Sequence, residues 1–280
     1  MTARIQQYLN ALAQLHHDGV ISLVSMILFG SSAAGATSDS SDVDLIIVLP
    51  DGATPGDWKR LRGLQTGLEI AHGFRTPPNR PRNPLELYME HAGGEAHSCF
   101  ICTRADLLSG NAGRVFGLRA AEALFVDRIV LATVIVSASS VWGEELLPLV
   151  SLPPIRRLDV FKAFHGLGGL AFMSLAAFLI LPDATRYAMG ALKHSLHSCY
   201  FCYHLKNAPL HEEVEFFNGR LGKNRTLLEL LNQRQNYRRS FGFVLRCVLL
   251  ILRLHLSTAQ QVCFPREISR KTVDSLHNQE

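Results

Sequence analysis

Three catalytic signatures are missing from this sequence. It has no Gly-x-Ser-x-Gly elbow and no His-Glu-x-x-His, so hydrolase and zinc-protease readings have no motif to rest on. It also lacks Gly-Lys-Ser/Thr, which excludes a P-loop. Charge is sparse: 19% of residues are charged and 48% are hydrophobic, the balance of a well-packed chain rather than a disordered one. Uninterrupted apolar runs of membrane length are lacking too. Gly166 to Leu181 is 16 residues long and stops at Pro182, whereas a span needs roughly 20. Phe241 to Leu256 is interrupted by Arg246 and Arg253. Both read as core helices, no secretory signal is visible, and a cytoplasmic protein with no membrane partner is expected. The six cysteines then read as reduced thiols rather than a disulfide scaffold.

What is present divides into two halves. The 280 residues allow one large domain or two ordinary ones. Residues 1–150 hold 11 Lys and Arg against 15 Asp and Glu, while residues 151–280 hold 17 against 9. An acidic half joined to a basic one suggests two domains, the basic one facing an anion.

The first half alternates between periods. Ile5, Leu9, Leu12 and Leu15 place a helix over residues 2–17, strands are predicted at Ile21 to Phe29 and Val43 to Leu49, and Asp57 to His72 reads as a helix. Leu85 to Glu90 and His97 to Thr103 read as two further strands, and Leu118 to Val141 as one long helix. The second half reads as helices over roughly residues 156–181, 186–206 and 225–258. The expected fold class is α+β: a domain with a mixed sheet and flanking helices over residues 1–150, an all-α bundle over 151–264, and a polar tail over 265–280. Pro148, Pro153 and Pro154 mark the junction.

The informative segment starts at Phe29-Gly30-Ser31-Ser32 and reaches Ser41-Asp42-Val43-Asp44 at the head of an apolar strand. Side chains alternate along a strand, so Asp42 and Asp44 share a face. Two adjacent carboxylates repel unless a cation lies between them. Oxygen ligands with open positions suit Mg²⁺, which takes further ligands from substrate phosphates. Gly30 permits close backbone approach, and the Ser31 N–H and hydroxyl can hold phosphate oxygens. A phosphate cradle upstream of two metal-binding carboxylates is equipment for nucleotidyl transfer.

This combination resembles the signature of the polymerase β-type nucleotidyltransferases, and is most similar to small-molecule members such as the aminoglycoside adenylyltransferases. The resemblance implies two Mg²⁺ ions, a nucleoside triphosphate substrate, and a third carboxylate on a later strand that completes the metal site or deprotonates the acceptor. Glu86 is the position that fits, with Glu90 in reserve. Trp142-Gly143-Glu144-Glu145-Leu146 resembles the turn that ends the catalytic domain in that family. Its acids are assigned to helix termination rather than chemistry. One departure is that many relatives carry an arginine shortly after Gly-Ser, where this chain has Ser32-Ala33-Ala34-Gly35. Arg75, Arg80, Arg82 and Lys193 are the candidate replacements, with Lys193 taken as a nucleotide-binding residue.

The implied activity is transfer of a nucleoside monophosphate to an acceptor hydroxyl with release of pyrophosphate. The acceptor is left open between a small molecule and a macromolecule such as tRNA or a protein, nucleic acid entering only in that role. The rival reading is a non-catalytic, antitoxin-like or regulatory module that keeps the fold. His97-Ser98-Cys99-Phe100-Ile101-Cys102 recurs as His197-Ser198-Cys199-Tyr200-Phe201-Cys202 and raises the question of zinc. Residues three apart in a strand face opposite ways, and the second pair falls in a helix without a turn, so buried thiols are the better reading.

Overall fold

The computed structural model describes residues 2–30, 43–75, 84–92, 99–118 and 126–268. By contacts, the chain forms two compact units. One comprises Met1–Arg82, His97–Ala123 and Val134–Leu152; the other comprises Asn83–Ala96, Leu124–Thr133 and Pro153–Glu280.

The first unit is built on a four-stranded mixed sheet, in the order β3-β2-β1-β4. β1 (Ser25–Phe29) pairs antiparallel with β2 (Asp44–Leu49), aligning Phe29 with Asp44. β2 pairs parallel with β3 (Cys99–Thr103), and β1 pairs antiparallel with β4 (Ser139–Gly143). Met26, Leu28, Val43, Leu45 and Ile47 form one buried cluster with Ile5, Leu9 and Leu12 of helix α1 (Ala3–His17) and Leu61 of α2 (Pro55–Ala71). Each such side chain contributes about 1.5–3 kcal/mol of burial. α2 starts at a capping box: Thr54 Oγ1 accepts from the Asp57 N–H, and the Asp57 carboxylate accepts from the Thr54 N–H at 2.8 Å.

Two expectations fail in this half. Residues predicted as the strand Leu85 to Glu90 form a helix, α3 (Pro84–Ala92). Pro84 opens it with its ring preset for a first helical position, and Met89 is buried in a helical core. The long helix predicted over residues 118–141 is also wrong. After β3, α4 (Arg104–Leu108) and α5 (Ala112–Val115), the described part of that stretch forms α6 (Arg128–Ser137) and then β4. Ser139-Ser140-Val141-Trp142 lacks the apolar continuity of α6, and the Ser25 hydroxyl ties this edge by donating to Glu144 O at 2.8 Å. Gly143 ends β4 at φ +83°, and a Cβ there would lie 3.0 Å from Ser25 Cα.

The second unit is helical: α3 packs with α7 (Arg157–Ala176), and α7, α8 (Ala184–His204) and α11 (Phe241–Gln261) pack on one another. α9 (Leu210–Leu221) and α10 (Arg225–Gln235) complete it. Leu192, Leu196, Phe217, Phe243, Cys247 and Ile251 lie in its core. The helix predicted over residues 225–258 is two helices. Gln233 Oε1 accepts the Arg238 N–H at 2.8 Å, and Ser240 Oγ caps Phe243 N at 3.2 Å, so the chain turns between them. α9 lies outside the helices predicted for this half; Leu210, Val214 and Phe217 give it a buried face at helical spacing. The architecture is an α+β domain with a mixed sheet and flanking helices, and a mostly helical C-terminal part.

Candidate active site

The site begins where β1 stops. Gly30 follows Phe29 at φ +71°, a conformation glycine adopts without Cβ strain. A Cβ on Gly30 would run into the Asp44 carboxylate, lying 3.2 Å from its Cγ. The backbone at Gly30 therefore approaches Asp44 as closely as a phosphate-binding turn beside a metal-binding carboxylate would require. Asp44 is half-buried, while Val43, Leu45, Ile46 and Ile47 around it are buried. Alternation puts Asp44 on the opposite side of β2 from Val43, Leu45 and Ile47, hence on the face turned away from α1 and α2. Phe29, Phe100 and Phe116 form an aromatic cluster, with ring centroids 6.1 Å and 4.7 Å apart along the series.

Residues 5–72 match the nucleotidyltransferase domain. Over these residues the chain is similar to that domain, which supports transfer chemistry that uses a nucleoside triphosphate, the superfamily and enzyme class that the sequence from Gly30 to Asp44 indicated. The fold is similar to that of spectinomycin adenyltransferase AAD(9) from Enterococcus faecialis, solved with ATP and spectinomycin. The TM-score is 0.54 at 11% identity, over 91% of this chain and 99% of that one. No curated protein matches the chain.

Among the matched residues, Gly30 and Asp44 are the two expected site residues brought together. Ser31 and Asp42 lie outside the described residues, as do Arg80 and Arg82. Arg75 is engaged elsewhere: its Nη1 lies 3.2 Å from Glu69 Oε2 and donates to Thr66 Oγ1 at 3.3 Å. Glu69 is buried, is also bonded by Gln65, and anchors that arginine to α2. The acids of the Trp142-Gly143-Glu144-Glu145 turn close β4, not a helix: Glu144 pairs with Arg104 at 3.2 Å, and Glu145 accepts from Ser140 at 3.0 Å.

Glu86 and Lys193 belong to the helical unit. Glu86 stands on α3 rather than on a strand and is only 3% exposed. A helix puts Glu86 and Glu90 one turn apart on the same face, so the correction changes the element and keeps both carboxylates together. Lys193 is half-buried on α8, one turn before His197. His197 Nδ1 lies 2.6 Å from Oε1 of the buried Glu213 on α9. Burial pushes the Glu213 carboxyl above the ordinary glutamate range, against the pull of the His197 bond and the nearby Lys193 charge. In the sequence the only signal for Glu213 is its place at the start of an amphipathic helix.

The cysteine repeats have become core. Cys102, Cys199 and Cys202 are buried and Cys99 is half-buried, with desolvation raising all four thiols. Among the described residues no three or more His, Cys, Asp or Glu side chains are grouped as a metal site.

Proposed function

We propose that this protein is a Mg²⁺-dependent enzyme that transfers a nucleoside monophosphate from a nucleoside triphosphate to an acceptor hydroxyl, releasing pyrophosphate. The observation that carries the reading is the approach of Gly30 to the Asp44 carboxylate at the start of β2, within the residues that match the nucleotidyltransferase domain. The donor set fits the metal: a half-buried carboxylate, a cradle open only because residue 30 lacks a Cβ, and a second aspartate two residues away in sequence. Asp42 and Asp44 would hold Mg²⁺ with Glu86, and the ion would supply charge neutralisation on the phosphates.

The chain's own residues do the rest. Gly30 and Ser31 hold the β- and γ-phosphates through backbone N–H groups and the Ser31 hydroxyl. Lys193, expected from the sequence as a nucleotide-binding residue, would supply a positive charge for the triphosphate. Glu86, buried on α3, would take the proton of the acceptor hydroxyl as its oxygen attacks the α-phosphorus. The Pα–O bond to pyrophosphate breaks and the nucleoside monophosphate stays on the acceptor.

The acceptor follows from weaker grounds. The structural neighbour was solved with ATP and spectinomycin, which supports a small hydroxyl-bearing molecule. The excess of Lys and Arg after residue 150 favours a neutral or anionic acceptor over a polycation. The test is incubation with α-³²P-labelled triphosphates, Mg²⁺ and a panel of aminocyclitols, aminoglycosides, tRNA and proteins. Label should pass to one acceptor class as pyrophosphate is released. Absence of both triphosphate binding and transfer would overturn the reading in favour of an interaction module.

A further inference from the structure

Helix α11 is apolar on two sides. Phe243, Val244, Cys247, Leu250, Ile251 and Leu254 are buried in the bundle. On the other side Phe241, Leu245, Leu249, Leu252 and Leu256 are 39–60% exposed. At 3.6 residues per turn these five fall within about 80° of one another, a continuous stripe along the helix. The four leucines follow one another at intervals of four, three and four residues, the spacing of a coiled-coil seam.

The stripe is free of charge. Both arginines of α11 are turned into their own chain: Arg246 pairs with Glu229 at 2.5 Å, and Arg253 donates to Leu221 O at 2.9 Å. At its N-terminal end the apolar surface continues through Phe178, whose ring centroid is 5.3 Å from that of Phe241, to Leu179 and Ile180, which are 91% and 70% exposed. Seven such side chains present several hundred Å², beyond the scattered apolar residues normal on a monomer and near the ~800 Å² per partner of a standard interface.

We propose that a second copy of this chain covers this face, α11 packing against α11 across a two-fold axis. An uncharged leucine seam complements itself, as a two-fold interface requires. Antiparallel helices oppose their dipoles and set Leu249 of one copy against Leu252 of the other. Although α11 is long and apolar enough to cross a membrane, a lipid-bound helix would carry basic residues on its polar face, and here that face is the bundle core.

Sedimentation equilibrium of the full chain tests this. At tens of micromolar the expected mass is twice the 31.0 kDa of one chain. Leu249→Glu combined with Leu252→Glu places like charges opposite one another and should leave a monomer with unchanged helical circular dichroism. Should that variant misfold, Leu249→Ser with Leu252→Ser should raise the dimer dissociation constant at least ~10-fold. A monomeric wild type overturns the proposal, and so does a dimer that the folded variants leave intact. Co-sedimentation of the wild type as a monomer with phosphatidylcholine/phosphatidylserine vesicles would assign the stripe to a membrane surface instead.

Discussion

The carboxylate of Asp44 occupies the space that a side chain on Gly30 would need. Any Cβ at residue 30 must displace the acid, and φ +71° adds backbone strain of order 1–3 kcal/mol. Gly30→Ala should therefore lower stability by about 1–2 kcal/mol in urea denaturation. Triphosphate turnover should fall at least ~10-fold, and a variant with unchanged turnover would uncouple the turn from the acid.

Glu86 and Glu90 can be told apart. In the proposed role Glu86→Gln lowers kcat by about 10²–10⁴-fold while Mg²⁺-dependent triphosphate binding persists. Glu90→Gln should change kcat far less, because Glu90 is the more exposed of the two. Single-turnover kinetics with a saturating acceptor reads the difference, and equal losses would remove Glu86 from the base position.

How much of this was legible in the sequence depends on the range of the forces involved. β1, β2 and α1 were readable because their apolar periods are local and their burial follows those periods. Gly30 and Asp44 each stand out in the sequence, and their close approach follows from the pairing of Phe29 with Asp44. α3 was not. Leu85-Glu86-Leu87-Tyr88-Met89-Glu90 satisfies a two-residue period and a helical one equally, and its packing against α7 decides for the helix. β4 was hidden because it is only five residues long and directly follows an apolar helix, and its pairing with Ser25 to Leu28 is long-range. The Glu213–His197 bond joins residues sixteen apart on different helices, beyond any local pattern.

His255 gives the bundle an acid-sensitive element. It is buried; its Nδ1 lies 2.9 Å from Ile251 O, and burial lowers its pKa to about 4. The folded state thus keeps the ring neutral where the unfolded chain, near 6.5, would bind a proton. The contribution is complete above pH 6.5 and is lost as pH falls toward 4, at most about 1.4 kcal/mol per unit. Half-buried Asp127, raised to about 6, acts in the opposite sense, its contribution being lost as pH rises from near 3.8 through 6. The difference in urea midpoint between wild type and His255→Leu isolates the histidine: it should shift in favour of the wild type as pH rises from 4 to 6.5. Parallel profiles would contradict this.

Thiol reactivity should separate Cys263 from the rest. Cys263 is exposed; Cys102, Cys199, Cys202 and Cys247 are buried, and desolvation keeps their thiols protonated at pH 8. A disulfide reagent should titrate one fast thiol in the native protein and all six after unfolding. Fast reaction retained in Cys263→Ser would show that a buried pair opens readily.

The most direct test of the central claim is titration calorimetry of the four nucleoside triphosphates into wild type and Asp42→Asn/Asp44→Asn, with and without Mg²⁺. The account predicts Mg²⁺-dependent binding of at least one triphosphate by the wild type. It also predicts loss of that dependence in the folded double variant, with turnover down ~10³-fold or more. Equal Mg²⁺-dependent binding and full turnover in the variant would contradict it.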